Sequence, residues 1–470
     1  MYPLMVIFGL SETEWLQTTT MHVMETTGKN YAKLMQIFSL IPNSMQYEPN
    51  DQIGIPWDLN KIAQLLFFIS LSATVVCLIC ARTKAKRWWI GGLGLLLSAV
   101  LLTGYFIPVS VPVMDLSAAS ETADTAYYDM IHKDCQKDEA ADFRVKKYQL
   151  DFSVGLNLTG SAKVYVDRSE LKSYRFTLYH GYKVKQVTDQ TGAALDFRRE
   201  HDYVTVTRGG AAVEYLCLEY TGKSPKYYSS YAGVCLPANF AYYPIPGYRE
   251  LFSDNFYGFI DCSLPYDTAF DVRCSGRKQM YCNLAARGDN HFAGNARSIT
   301  LLSGYYDTLK LNDTLVVYPK YADTEIRARI KKNMGTFTKE HRDIRTIFIM
   351  GADNLTPYEH LRSYDGYVVT NSMIDMEQSY FESQIDISKM DFYKTFVYYY
   401  NEKVDREELE QLKQSEDPEE YPMVQIILKL SASKNREAAA AETEQYLTNS
   451  KDTRAPMTFL QELGEKYAKA

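Results

Sequence analysis

The sequence predicts an α+β protein in which a transmembrane helical hairpin precedes an antiparallel β-sandwich and a smaller C-terminal region that passes from α/β to helical. Three observations carry this expectation. Two apolar runs without a charge, residues 62–81 and 88–114, follow one another across six residues. From Lys147 onward apolar and polar residues alternate with a period of two, and after Asp405 the apolar spacing becomes that of helix faces. A chain of 470 residues exceeds what one hydrophobic core organises. The expected segments are an N-terminal piece with an amphipathic helix (1–58), the hairpin (59–114), a linker (115–145), the sandwich (146–322) and the α/β to helical region (323–470).

Each run is long enough to cross about 30 Å of hydrocarbon at about 1.5 Å per helical residue. Trp88 and Trp89 fall at one interface and Tyr105 near the other, where an amphipathic ring has a wet and a dry side. The connection between the runs holds Arg82, Lys84, Lys86 and Arg87 and no acid, which places it in the cytoplasm. A two-span hairpin closed on that side puts both termini outside the cytoplasm, in a protein of the cell membrane whose first partner is the bilayer. Cys77 and Cys80 form a C-x-x-C inside the first run, but without polar neighbours they are packing residues and no metal or redox pair.

Ahead of the hairpin, Pro3 to Leu10 is apolar but too short to span, and no cationic stretch precedes it as a signal peptide requires. The expectation is that it ends a further membrane segment and that this chain is the later portion of a longer permease. Lys29 to Ile41 sets Tyr31, Leu34, Met35, Phe38 and Ile41 at helical spacing, the amphipathic helix of the first segment.

Residues 115–145 carry small, acidic and polar residues suited to a linker that stands the following domain off the membrane. Beyond it Tyr148, Leu150, Phe152 and Val154, then Ala162, Val164 and Val166, then Tyr174, Phe176 and Leu178 mark strands half-buried on one face. Turns are expected at Thr159-Gly160, His180-Gly181, Asp189 to Gly192 and Arg208 to Gly210, and a strand spans Ala212 to Tyr220. The 38 tyrosines suit half-buried strands and wet surfaces. Cys135, Cys217, Cys235, Cys262, Cys274 and Cys282 permit disulfides outside the cytoplasm, with no pairing fixed by spacing. Thr324 to Lys332 reads as a helix and Thr346 to Met350 as a short buried strand. Helices follow over Glu407 to Gln414, through Ile426 and Leu430, over Glu437 to Leu447, and from Pro456 with Phe459, Leu460 and Leu463 on one face.

The order YQLDFSVGLNLTGSAKVYVD, YRFTLYHGYKVKQVTDQTGAALDF and VEYLCLEYTGK, continued by AYYPIPGYRELF, FIDCSLPYDTAFDVRCSGR and HFAGNARSITLLSGYYD, resembles the non-catalytic N-terminal β domain of aminopeptidase N-type zinc metallopeptidases over residues 145–310. The layout is similar to peptidase-like ectodomains of bacterial ABC-transporter permeases. The resemblance implies a sandwich followed, in residues 323–470, by an abbreviated remnant of a peptidase domain.

The chemistry of that family is missing from the sequence. A helix bearing H-E-x-x-H supplies two zinc ligands on one face and a general base between them. Here the nearest two of the seven histidines, His341 and His360, are nineteen positions apart, and the others are His22, His132, His180, His201 and His291. The family's Gly-x-Met-Glu-Asn strand is unmatched; Asp365 to Met373 holds the nearest position. Glu340-His341 and Glu359-His360 read as exposed residues at helix ends or loops. There is no phosphate loop and no nucleophile elbow, and Lys and Arg interleaved with Asp and Glu at a net charge of −7 give no nucleic-acid face. The sequence thus offers no catalytic, cofactor-binding or metal-ligating residue. Tyr227-Tyr228, Tyr242-Tyr243 and Tyr398 to Tyr400 suit packing positions, with an aromatic recognition surface as the alternative.

The expected function is that of a non-enzymatic membrane protein, part of an ABC-transporter permease, whose partners are an ATPase and permease subunits and a peptide or protein ligand. Two rivals stay open. One is a membrane-anchored, zinc aminopeptidase-like enzyme with an unrecognised or partner-completed site; the other is a surface receptor or adhesion protein.

Overall fold

The computed structural model describes residues 59–105, 124, 127–131, 137–224, 226–253, 258–320, 323–350, 361–371, 376–401, 412–413 and 420–468. The expected segments Pro3 to Leu10 and Lys29 to Ile41, residues 106–114 of the second apolar run, Cys135, His360 and most of Glu407 to Gln414 lie outside these. The protein is a mixed α+β chain with several sheets, two apolar helices ahead of them and helices behind. It divides into two compact units, residues 1–360 with 364–374, and residues 361–363 with 375–470.

Helices α1 (Leu59–Cys80) and α2 (Lys84–Tyr105) are each long and apolar enough to cross a membrane by length and composition. Among the described residues, only 17% and 6% of their most apolar windows are buried. The link between them is shorter than the charge pattern suggests. Thr83 caps α2 by accepting the Lys86 amide, so Lys84, Lys86 and Arg87 lie in its first turn, and Arg87 Nε donates to Ala81 O at 3.0 Å. The two helices meet through small and polar residues. Ser98 Oγ donates to Ser70 Oγ at 3.1 Å, and a Cβ on Gly94 would lie 2.2 Å from Thr74 Oγ1.

The first unit continues with β1 (Val145–Val154), β2 (Leu158–Val166), β3 (Ser173–Thr177), β4 (Tyr182–Thr188), β5 (Phe197–Glu200), β6 (Tyr203–Thr207), β7 (Tyr215–Gly222), β8 (Val234–Leu236), β9 (Ile245–Pro246), β10 (Phe252–Ser253) and β11 (Gly258–Phe259). Then come β12 (Thr268–Ser275), β13 (Tyr281–Cys282), β14 (Ala285–Gly288), β15 (His291–Ala296), β16 (Leu301–Ser303), β17 (Tyr306–Leu311) and β18 (Thr314–Pro319). The largest sheet runs β14-β15-β12-β1-β2-β7-β4, beside sheets β5-β6-β3-β9, β13-β16-β8 and β10-β11. The alternation in β1 and β2 matches the expected inward residues: Tyr148, Leu150, Phe152 and Val154, with Ala162, Val164 and Val166, are buried.

The largest sheet is mixed, which corrects the antiparallel expectation. β1 pairs antiparallel with β2 but parallel with β12, Tyr148 opposite Phe270 and Leu150 opposite Val272. A hairpin cannot join parallel neighbours, and here the intervening strands form the long connection they require. Thr159-Gly160 is likewise no turn. Gly160 lies inside β2 opposite Phe152 and Tyr220, where a Cβ would stand 2.4 Å from Tyr220 Cζ, and the chain reverses instead at residues 155–157. Glycine is there to admit a ring.

Tyrosine is the main filler of this core. Among the described residues, nine of the twelve largest fully buried side chains are Tyr, so the half-buried expectation is corrected. Full burial is tolerable because hydroxyls find main-chain acceptors: Tyr148 donates to Pro244 O, Tyr220 to Tyr242 O and Tyr242 to Ile299 O, each at 2.8 Å. Tyr227, Tyr228, Tyr242 and Tyr243 are therefore packing residues. Among the described residues, no two cysteines are joined by a disulfide.

Helix α3 (Asp323–Met334) and the short α4 (Phe337–Glu340) precede β19 (Thr346–Ile349), β20 (Leu361–Tyr364) and β21 (Tyr367–Thr370). Strands β17, β18, β19 and β21 are neighbours in that order, with β18, β19 and β21 parallel. Residues 306–319, expected to belong with the strands before them, thus share a sheet with β19 and β21, and β19 is buried throughout.

The second unit is built on α5 (Met376–Ser383), α6 (Met390–Asn401), α7 (Glu420–Ser431), α8 (Arg436–Thr448) and α9 (Pro456–Tyr467). Phe459, Leu460 and Leu463 enter its core with Phe392, Phe396, Ile427 and Leu430, as their spacing requires. Tyr400 is buried there while Tyr398 is exposed. Lys389 Nζ is buried and donates to Tyr446 O at 2.7 Å and Asn449 O at 2.9 Å, placing a cation at the carbonyl end of α8.

Candidate functional site

The first unit buries a cluster of carboxylates, imidazole and phenols. Its base is the loop between β3 and β4, which carries Tyr179 and His180, and the turn between β5 and β6, which carries His201 and Asp202. Asp202 organises the loop: its backbone oxygen accepts the Leu178 amide at 2.8 Å and its Oδ1 accepts the His180 amide at 2.7 Å. Arg199 ties the same loop from β5, donating to Leu178 O and Tyr179 O at 2.9 Å, to His201 O at 2.9 Å and to Tyr182 O. Burial holds the Arg199 guanidinium below its ordinary range.

A third segment completes the cluster. Residues 127–131 are helical, and Tyr128 is buried in the main core with Tyr127 and Ile131 packed against it, within the segment the sequence reads as a linker. Two adjacent rings and Ile131 on an otherwise polar stretch are what that reading passed over. Tyr128 stacks on Phe252 at 4.7 Å between centroids and donates its hydroxyl to Asp202 Oδ2 at 3.0 Å. Tyr127 stacks on the His180 ring at 3.6 Å, with its hydroxyl 3.1 Å from His201 Nδ1.

Asp124 is the acid at the centre. Its Oδ1 accepts the Tyr179 hydroxyl at 2.5 Å and lies 3.7 Å from His180 Nε2, while His180 Nδ1 lies 3.4 Å from Asp202 Oδ1. Its Oδ2 is buried and has no hydrogen-bond partner among the described residues. Burial pushes the Asp124 carboxyl up to about 6; the Tyr179 hydrogen bond and the neighbouring His180 and Lys226 pull against that, and Asp202 adds to it. Burial likewise holds the Tyr128 and Tyr179 hydroxyls well above the ordinary phenol range.

Chemically this arrangement favours a protonated, neutral Asp124, buried between a phenol and an imidazole. Among the described residues no three His, Cys, Asp or Glu side chains gather as a metal-binding group.

The positions singled out by comparison with the peptidase pattern lie elsewhere. His341 ends α4, its amide donating to Phe337 O and its ring 4.5 Å from that of Phe337, as expected of a helix-end residue. Within Asp365 to Met373, residues Tyr367 to Thr370 are the buried strand β21, entered through Gly366 at φ +78. The sequence named no site residue, so Asp124, His180 and Asp202 are additions. No motif spacing signals them, since three distant segments supply one each.

No protein-family model and no curated protein matches this sequence. Among solved structures, the chain is similar to yeast LTA4 hydrolase in complex with bestatin, with a TM-score of 0.39 and 10% identity over 69% of this chain and 65% of that one. Native leukotriene A4 hydrolase from Saccharomyces cerevisiae gives a TM-score of 0.38 and 11% identity over 70% of this chain and 65% of that one. The M1 zinc metallopeptidase from Deinococcus radiodurans gives 0.32 and 11% over 70% of this chain and 88% of that one. The chain thus spans somewhat less than two thirds of the hydrolase's length.

Proposed function

We propose that this chain is a non-catalytic integral membrane protein, a portion of an ABC-transporter permease. In this reading α1 and α2 span the cell membrane, and the β region is a peptidase-like sandwich outside the cytoplasm that binds a peptide or protein partner. One observation carries the proposal: the strand order resembling an aminopeptidase N-type β domain continues into a chain with no H-E-x-x-H anywhere in its 470 residues. A domain that keeps the scaffold and lacks the helical zinc pair acts by contact. The apolar surface of α1 and α2 and the cations of Arg82, Lys84, Lys86 and Arg87 support the two-span arrangement, with that end in the cytoplasm.

The test is zinc content and aminopeptidase turnover of the pure full chain in detergent. Neither above the level of a heat-denatured control is the expected result. Stoichiometric zinc with turnover refutes the proposal in favour of an enzyme with differently placed ligands.

A further inference from the structure

The segment that leads from the hairpin to the β region is held by side chains that respond to protons. Asp124 and Tyr128 are buried, and Tyr127 is partly so, against groups from other segments. Facing Asp124 are Tyr179 and His180 from the β3–β4 loop, Asp202 from the β5–β6 turn and Lys226 from the stretch after β7, while Arg199 ties the loop, His201 meets the Tyr127 hydroxyl and Ser224 bonds that of Tyr179. Phe252 and Phe259, from β10 and β11, close the apolar side around Tyr128. Two carboxylates therefore flank one imidazole, and one of the four carboxylate oxygens, Asp124 Oδ2, is buried with no partner among the described residues. An ionised carboxylate in that position is costly to bury, whereas a neutral one is much less so.

We propose that Asp124, Tyr127 and Tyr128 form a pH-dependent latch, which grips the β region more tightly when Asp124 takes up a proton and loosens when it releases one. The sign follows from the two states. Docked, the carboxyl titrates at about 6; undocked, at the ordinary 3.8. The docked state therefore holds its proton better. The stabilisation is complete below the undocked value and is lost as pH rises through the docked one. Between pH 7.5 and pH 5 the docking equilibrium should shift about tenfold toward the latched form.

Hydrogen exchange at the amides of residues 127–131 in the full chain in detergent, corrected for the intrinsic rate at each pH, reads this directly. Wild-type protection should be about tenfold greater at pH 5 than at pH 7.5. Asp124→Asn, neutral at both, should remove the difference, and His180→Gln should keep it. Equal or weaker wild-type protection at pH 5 overturns the proposal. So does a pH dependence that survives in Asp124→Asn, or one lost in His180→Gln and kept in Asp124→Asn. Should Asp124→Asn not fold, Tyr179→Phe serves in its place. Without that hydroxyl the carboxyl loses a bond that favours its charged form, so the midpoint must move to higher pH; an unmoved or lowered midpoint refutes the latch.

Discussion

Tyr242 and Tyr243 are adjacent, both buried, and stack edge to face at 5.0 Å, yet they differ in one hydrogen bond. Tyr242 donates its hydroxyl to Ile299 O at 2.8 Å, whereas the Tyr243 hydroxyl has no partner among the described residues. Replacing each by Phe removes one oxygen and little apolar contact, so the pair isolates that bond. Tyr242→Phe leaves the Ile299 carbonyl without its donor and should cost about 1–2 kcal/mol. Tyr243→Phe removes a buried hydroxyl that gains nothing from its surroundings and should be neutral or stabilising by up to about 1 kcal/mol. For a cooperative unit of this size each kcal/mol moves the midpoint by about 2–4 °C. The assay is thermal unfolding of the full chain in detergent followed by far-UV circular dichroism, since the four tryptophans, Trp15, Trp57, Trp88 and Trp89, all precede the β region. Equal losses in the two variants, or a larger loss for Tyr243→Phe, would show that packing volume and not the hydroxyl bond governs this part of the core.

Two further outcomes follow from the same core. Gly160→Ala forces a Cβ to within 2.4 Å of Tyr220 Cζ and should cost about 1–3 kcal/mol in the same melt, while a loss below about 0.5 kcal/mol would mean that the ring moves aside freely. Burial holds Tyr148, Tyr220, Tyr242 and Tyr243 well above the phenol value of 10, so these side chains contribute stability that is complete below pH 10 and is lost as the unfolded chain ionises above it. Absorbance at alkaline pH should therefore show one group of tyrosines ionising without structural change and a second group ionising only as the ellipticity collapses; a single smooth titration with the fold intact contradicts this.

What could be read from the sequence was whatever repeats locally. The alternation of Tyr148, Leu150, Phe152 and Val154 gives the buried face of β1, and the spacing of Phe459, Leu460 and Leu463 behind Pro456 gives the core face of α9. Where a residue's role depends on a distant neighbour, local pattern misleads. Gly160 looks like a turn because the ring that requires it, Tyr220, is sixty positions away, and the parallel pairing of β1 with β12 leaves no trace in either strand. Tyrosines look like half-wet strand residues until Pro244, Tyr242 and Ile299 supply the carbonyls that let them go under. The acid cluster is the extreme case. Asp124, His180 and Asp202 share no spacing, and each alone is an ordinary polar residue in a connection.

The place of β1 in the largest sheet also sets an order of events during synthesis. Its partner β2 emerges from the ribosome within a few residues, but the strand on its other side, β12, ends only at Ser275. Until then the nascent chain carries β1 with an open flank, while the apolar helices α1 and α2 have long been made. A chain arrested before Thr268 would present that flank to any extended neighbour, so this stretch of translation is where a holding chaperone has most to protect.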